Sequence, residues 1–289
     1  MAELLQDLLD STAERLSPLS DTPQLDAQVL LAHVLEKPRT WVIAHPGSSF
    51  NVDQAEKFGV LIDKLELGEP LPYVLGHWEF FGLDFDITPD VLIPRPETEL
   101  LVERAIPWLQ ASPERRTIAD IGTGSGCIAI SFAMNVPEVR ILGTDISLAA
   151  LKVARRNALK FEVARQIDFV QCDLLPQHIN SLSTDRHFDL ICANLPYIPT
   201  GKLNSLPIYG REPTIALDGG ADGLDPFRKI FKLVPDWMAS GGRILLEIEA
   251  TRGLAVLSLA YDAFSSAAIH LHRDLSGHDR ILEIQLPAN

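Results

Sequence analysis

The residues Asn194-Leu195-Pro196-Tyr197 directly follow the apolar run at 188–193 in the stretch FDLICANLPYIPT. An asparagine side-chain oxygen and a main-chain carbonyl can each accept one N–H of a planar –NH2 group. That pair of acceptors fixes the nitrogen and favours positive charge developing on it, and a neighbouring tyrosine ring can pack on the planar group. The tetrad therefore suits a nitrogen whose lone pair is delocalised and which reacts only when held in line with an electrophile.

A second stretch, TIADIGTGSGCIAI, puts Gly122, Gly124 and Gly126 at a strand-to-helix turn. Missing side chains there let a ligand approach the backbone and the helix N-terminus. The spacing is G-x-G-x-G, and no G-K-[ST] follows, so a P-loop is excluded and a dinucleotide site is disfavoured. About twenty residues on, Gly143-Thr144-Asp145 places a carboxylate where the hydroxyls of a ribose would be held. Asp145 could equally cap a helix, although Ser147 is a competing cap. Cys172-Asp173-Leu174 ends the next apolar run and brings Asp173 over the same crevice, placed for an adenine amino group or simply for a turn.

Positioning these residues requires a sheet with helices on its faces. Short apolar runs at 117–121, 140–144, 168–171, 188–193, 242–249, 267–272 and 280–285 alternate with helical stretches at 126–135, 148–160, 175–182 and 226–239. Such alternation predicts an α/β domain with a mainly parallel sheet that binds ligands at the carboxyl ends of its strands. The last two runs, with no long helix between them, predict an antiparallel pair at one edge. Ahead of this domain, 1–75 reads as a small all-α bundle. Leu4, Leu5, Leu8, Leu9 and Leu16 fall at helical spacing, and a helix opening at Pro23 carries Leu25, Val29, Leu30 and Val34. Helices at 40–44 and 52–67 follow. The segment 76–93 has period two with aromatics and predicts a linking β-hairpin that turns near Gly82. A helix capped by the 94–99 stretch runs to about 109, and the α/β domain occupies 94–289.

Composition bounds the remaining possibilities. The 289 residues are 46% hydrophobic and 22% charged, enough for two globular domains and too apolar for wholesale disorder. The net charge of −14 argues against a protein that coats a polyanion. No direct nucleic-acid partner is therefore expected. An acidic N-terminus without a cleavage site, and no apolar run of bilayer length, predict a cytoplasmic protein without a membrane partner. Cys127, Cys172 and Cys192 read as buried thiols. The eight histidines show no ligand spacing, and the acidic loop at 218–223 has Lys229 where an EF-hand needs glutamate, so no metal is expected.

The arrangement Asp120-Ile-Gly-Thr-Gly-Ser-Gly, then Asp145, then Asp173, resembles the class I S-adenosylmethionine-dependent methyltransferases. The resemblance implies a Rossmann-like fold with a seven-stranded sheet whose last strand is antiparallel. It implies S-adenosylmethionine as cofactor, with Gly122, Thr123, Gly124 and Gly126 facing its methionine part and Asp120 near the methionine amino group. Asp145 and Ile146 would border the ribose, and Cys172, Asp173 and Leu174 the adenine. Asn194 to Tyr197 resemble the Asn-Pro-Pro-Tyr motif of methyltransferases that act on planar amino groups, with Asn194, Leu195, Pro196 and Tyr197 as the catalytic set. Leu195 departs from that motif; it keeps the carbonyl and loses the proline's rigidity. Its carbonyl is expected to point into the pocket as a proline's would.

Further stretches are similar to the protein-(glutamine-N5) methyltransferases of bacterial peptide chain release factors. They include Gly68-Glu69-Pro70-Leu71, Tyr73-Val74-Leu75-Gly76, Thr88-Pro89-Asp90 through Ile93-Pro94-Arg95-Pro96-Glu97-Thr98-Glu99, Arg211-Glu212-Pro213 and Ala216-Leu217-Asp218 through Leu224. This resemblance implies methyl transfer to the glutamine of a Gly-Gly-Gln loop, an effect on translation termination, a helical domain that docks the release factor, and a monomer. It also implies that 93–99 borders the cofactor pocket. An amino-methyltransferase of nucleic-acid bases stays open as the alternative, as does a cofactor-binding protein without activity.

Overall fold

The computed structural model describes residues 4–176 and 187–288. The chain divides into two compact units between His77 and Trp78. Among the described residues no helix is long and apolar enough to cross a membrane.

The first unit is helical: α1 (Leu5–Leu16), α2 (Pro23–Leu35), α3 (Arg39–Ala44), α4 (Val52–Glu66) and the single turn α5 (Leu71–Leu75). In α1 the buried positions Leu5, Leu8, Leu9, Ala13 and Leu16 form one stripe. In α2 the stripe is Ala27, Leu30, Leu31 and Val34, whereas Leu25 is exposed. At 100° per residue those four lie about 140° to 240° around the helix from Leu25, so Leu25 faces away from the core. Asn51 and Gln54 close a reciprocal capping box at the start of α4. The turn α5, absent from the periodicity, lies between Pro70 and Gly76, whose φ of 80° ends it.

The second unit opens with a hairpin of β1 (His77–Phe80) and β2 (Leu83–Asp86). Phe81 and Gly82, at φ 52° and 71°, make the tight turn expected near Gly82. Residues 87–93, expected to continue the hairpin, are not in a strand. Next come α6 (Pro96–Gln110), β3 (Thr117–Ile121), α7 (Cys127–Asn135), β4 (Arg140–Asp145), α8 (Leu148–Lys160), β5 (Ile167–Gln171), β6 (Phe188–Ala193) and α9 (Thr200–Leu203). The chain ends with α10 (Asp225–Leu233), β7 (Met238–Glu247), α11 (Gly253–Ala263), β8 (Ala268–Arg273) and β9 (Asp279–Gln285).

The seven-stranded sheet has the order β5-β4-β3-β6-β7-β9-β8. Strands β3 to β7 pair in parallel, and β9 runs antiparallel to both β7 and β8. After β5 the chain returns to the other side of β3, so the strand order reverses between β3 and β6. That switch point opens a crevice beyond the ends of the two strands that carry the glycine turn and Asn194.

The α/β domain differs from the sequence expectation in two places. The helix expected at 226–239 ends at Leu233, followed by a short 3-10 turn at Val234–Asp236, and β7 begins at Met238. Pro235 fits this, because it lacks the N–H that would continue the α-helical hydrogen bonds. Helix α11 was not expected at all; it buries only Gly253, Val256 and Ala260, and its exposed apolar residues, such as Leu254, blur the period. The helix expected at 175–182 falls mostly on 177–182, outside the described residues.

Candidate active site

Strand β3 delivers a buried Asp120 to the head of the glycine turn. Its Oδ2 accepts the Thr123 hydroxyl at 2.6 Å and the Ala129 N–H at 3.1 Å. Its Oδ1 is buried without a partner. Burial pushes this carboxyl up to about 7, with Asp145 adding to the rise and the two donors opposing it. Gly122 and Gly124 have φ of 72° and 55° and line a cavity of about 250 Å³. Gly126 does not line it; a Cβ there would sit 3.0 Å from Ile130 Cδ1 and 3.2 Å from Ala154 Cβ. Its missing side chain thus serves helix packing, not approach of a ligand. Thr123 and Asp120 also lie behind the cavity wall.

At the end of β4, Asp145 accepts the Gly124 N–H at 2.9 Å and the Ser147 N–H at 2.8 Å. Burial raises its carboxyl and the backbone donors oppose the rise. Ser147, not Asp145, caps α8 by accepting the Ala150 N–H. Each Asp145 oxygen accepts one of these bonds and keeps further acceptor capacity, and the residue lines the cavity together with Ile146. After β5, Cys172, Asp173 and Leu174 line the same cavity. Burial, with Asp173 and Asp145 close by, pushes the Cys172 thiol up to about 11, so it is a wall residue and no nucleophile. Leu174 is held at φ 64°, with its carbonyl accepting the Thr144 hydroxyl at 2.6 Å. Asp173 pairs with Lys229 at 3.2 Å across the rim.

From β6, Asn194, Leu195 and Pro196 complete the wall. The Asn194 amide donates from Nδ2 to Thr98 Oγ1 at 3.0 Å, and the Thr98 hydroxyl donates to Glu247 Oε2 at 2.5 Å. The Leu195 side chain is only 2% exposed and packs in the core with Ala193, Leu224 and Phe227. The leucine at this motif position therefore also has a packing role. Tyr197 does not line the large cavity. It lines a second one of about 80 Å³ with Leu92, Arg95, Ile208 and Leu217, and Asn194 borders both. Burial, and Glu247 nearby, raise the Tyr197 phenol, so it stays neutral.

Several lining residues carry no local signal in the sequence. Asp90, Val91 and Leu92 border the large cavity, whereas Ile93 is buried and Arg95 faces the small one. The border is thus displaced from 93–99. Arg95 forms a short ion pair with the buried Glu212, which also accepts the Ile93 N–H at 3.0 Å. The 218–224 loop closes a turn in which Asp218 Oδ1 accepts the Thr200 hydroxyl at 2.6 Å and the Gly220 N–H at 3.0 Å. It presses on the tetrad: a Cβ at Gly219 would lie 2.8 Å from Tyr197 Cα. The acidic string has become a support for the tetrad.

Residues 7–76 match the family model described as PrmC N-terminal domain, and 97–206 match the methyltransferase small domain. The chain is 41% identical over 261 residues to a release factor glutamine methyltransferase of Moorella thermoacetica, covering 90% of each protein. It is 36% identical over 281 residues to one of Coxiella burnetii, covering 96% of this chain and 97% of that protein. A crystal structure of a release-factor-specific protein-(glutamine-N5) methyltransferase from Alicyclobacillus acidocaldarius aligns with a TM-score of 0.42 and 29% identity, covering 70% of this chain and 99% of that one. The chain belongs to the release factor glutamine methyltransferase family.

Proposed function

We propose that this enzyme transfers the methyl group of S-adenosylmethionine to the side-chain amide of the glutamine in the Gly-Gly-Gln motif of a peptide chain release factor. The observation that carries the reading is the position of Asn194 on the wall shared by two cavities, one large and one small. The lining of the large one suits the cofactor. Asp90, Asp145, Asp173 and Asp218 surround apolar Leu92, Ile146, Leu174 and Pro226, and the one lining cation among the described residues, Lys229, is paired to Asp173. Such a wall repels phosphates and accepts a cationic, hydroxyl-bearing nucleoside. The unpartnered Oδ1 of Asp120, with Gly122 and Gly124 open to the cavity, fits an ammonium group near the glycine turn.

When bound, S-adenosylmethionine supplies an electrophilic methyl group on a positively charged sulfur. The chain's own residues then have a positioning task. Asn194 Oδ1 and the Leu195 carbonyl accept the two N–H groups of the glutamine amide. Its nitrogen is thereby directed at the large cavity, and positive charge is favoured on it as the new N–C bond would form at the expense of the methyl group's bond to sulfur, one amide proton then leaving the nitrogen for solvent. Tyr197, neutral and half-buried, packs against the planar amide in the small cavity. Asp145 holds the ribose hydroxyls and Asp173 the adenine amino group.

Residues 1–75 dock the release factor, 76–93 link, and 94–289 carry the chemistry of a monomeric, cytoplasmic enzyme that acts on translation termination. The test is incubation with methyl-labelled cofactor and either a release factor or duplex DNA. Label in the release factor alone is expected; label only in DNA would replace the reading with base methylation, and label in neither would leave a binding protein.

A further inference from the structure

The amide of Asn194 has two nearly isosteric ends, and only one of them suits the reaction. If the oxygen faces the glutamine –NH2, acceptor meets donor; if the amide turns over, donor meets donor and the nitrogen is no longer held. Something buried must therefore choose the end. Resting on the substrate reading above, we infer that Thr98 and Glu247 are positioning residues that set the Asn194 amide with its oxygen toward the substrate.

The inference follows from hydrogen-bond polarity. Glu247 ends β7 beside the strand that carries Asn194, and it is 1% exposed; Thr98, in the first turn of α6, is 3% exposed. An ionised carboxylate only accepts, so in the 2.5 Å contact the Thr98 hydroxyl must be the donor. The same hydroxyl oxygen then offers only lone pairs to Asn194, 3.0 Å away. Asn194 must present its –NH2 to Thr98 and turn its Oδ1 the other way. Thr98 and Glu247 are shut off from solvent, so bulk water cannot substitute for either as a missing partner. The relay thus converts the acceptor character of one buried carboxylate into the orientation of an amide two hydrogen bonds away.

Protonation of Glu247 would break the rule, because a carboxylic acid can donate to Thr98, free its hydroxyl to donate to Asn194, and let the amide turn over. The groups facing Glu247 are the Thr98 hydroxyl and Glu97 from α6, Arg95 ahead of it, Arg280 from β9 and the Tyr197 phenol. Burial outweighs the two arginines and the Thr98 bond and pushes the carboxyl up to about 7, so the switch falls within the working range.

The test is steady-state methylation of a full-length release factor between pH 6 and 9 by the intact chain and three variants, with cofactor affinity measured by calorimetry. Thr98→Val keeps the volume and removes the hydroxyl; kcat should fall about ten- to hundredfold while cofactor affinity stays within about threefold. Thr98→Ser should recover most of that loss. The kcat of the unmutated enzyme should drop as pH falls through about 7, and Glu247→Gln should be slower and lack this acid limb. Full kcat in Thr98→Val, an equal loss in Thr98→Ser, or an acid limb kept by Glu247→Gln would overturn the inference. If the unmutated chain leaves the release factor unmethylated, the substrate reading falls and this inference with it.

Discussion

Two single side chains, Asn194 on the cavity wall and the buried Asp120 at the head of the glycine turn, can each be tested by one substitution. In the proposed mechanism Asn194→Ala removes the acceptor for one glutamine N–H, and it should lower kcat at least about a hundredfold with little change in cofactor affinity. Single-turnover kinetics beside equilibrium binding will check this, and a matching loss of cofactor affinity would move Asn194 out of the acceptor position. Asp120 is raised from the usual 3.8 to about 7 by burial. A raised carboxyl contributes stability that is present below its unfolded value and is lost as pH rises through the folded one. Above about pH 7 the native state therefore carries a buried, half-satisfied charge. Asp120→Asn should raise the thermal midpoint at pH 8 by about 2–6 °C and lose that advantage at pH 5, while weakening cofactor binding. Scanning calorimetry at both values decides it; a variant less stable than the parent at pH 8 would contradict the buried charge.

The elements that meet at the crevice are held by long-range bonds, which explains what could and could not be read from sequence. Gly122, Asp145, Asp173 and Asn194 were legible because each ends an apolar run at a turn, and a parallel sheet gathers such ends at one edge. The roles of Thr98, Glu247 and Glu212 were not, because their partners lie 96, 149 and 117 residues away, and the stretches that carry Thr98 and Glu212 marked only the family resemblance. The packing of Gly126 was silent for a related reason, since its neighbours Ile130 and Ala154 come from helices whose crossing is set by the fold. Helix α11 escaped because its apolar residues do not form a single stripe. Asn157 of α8 is another silent residue. Fully buried, its Nδ2 donates to the carbonyls of Asp86 and Ser125 at 3.0 and 2.9 Å and its Oδ1 accepts the Asp86 N–H at 2.8 Å. It ties β2 and the glycine turn to one helix. Asn157→Ala leaves three backbone groups unpaired and should cost about 2–4 kcal/mol in urea unfolding; a cost below about 0.5 kcal/mol would mean the hairpin is held some other way.

At the scale of the whole molecule, a net charge of −14 must shape how a protein partner arrives. Under the proposed function, an acidic enzyme would steer toward itself any basic surface that the release factor offers. Raising salt from about 50 to 300 mM should lower kcat/KM for the release factor several-fold with kcat nearly unchanged, because screening acts on encounter and not on the buried site. A salt-independent kcat/KM would remove electrostatic steering from the account. The central claim is more specific than any of these: two cavities share Asn194 so that a glutamine amide in one can meet a methyl group in the other. Its most direct test is peptide mapping by mass spectrometry of a release factor incubated with the enzyme and S-adenosylmethionine. The account predicts one added methyl group on the side-chain nitrogen of the Gly-Gly-Gln glutamine, and none when Asn194→Ala replaces the parent enzyme. A methyl group on any other residue, or on that glutamine with Asn194→Ala at the parent rate, would contradict it.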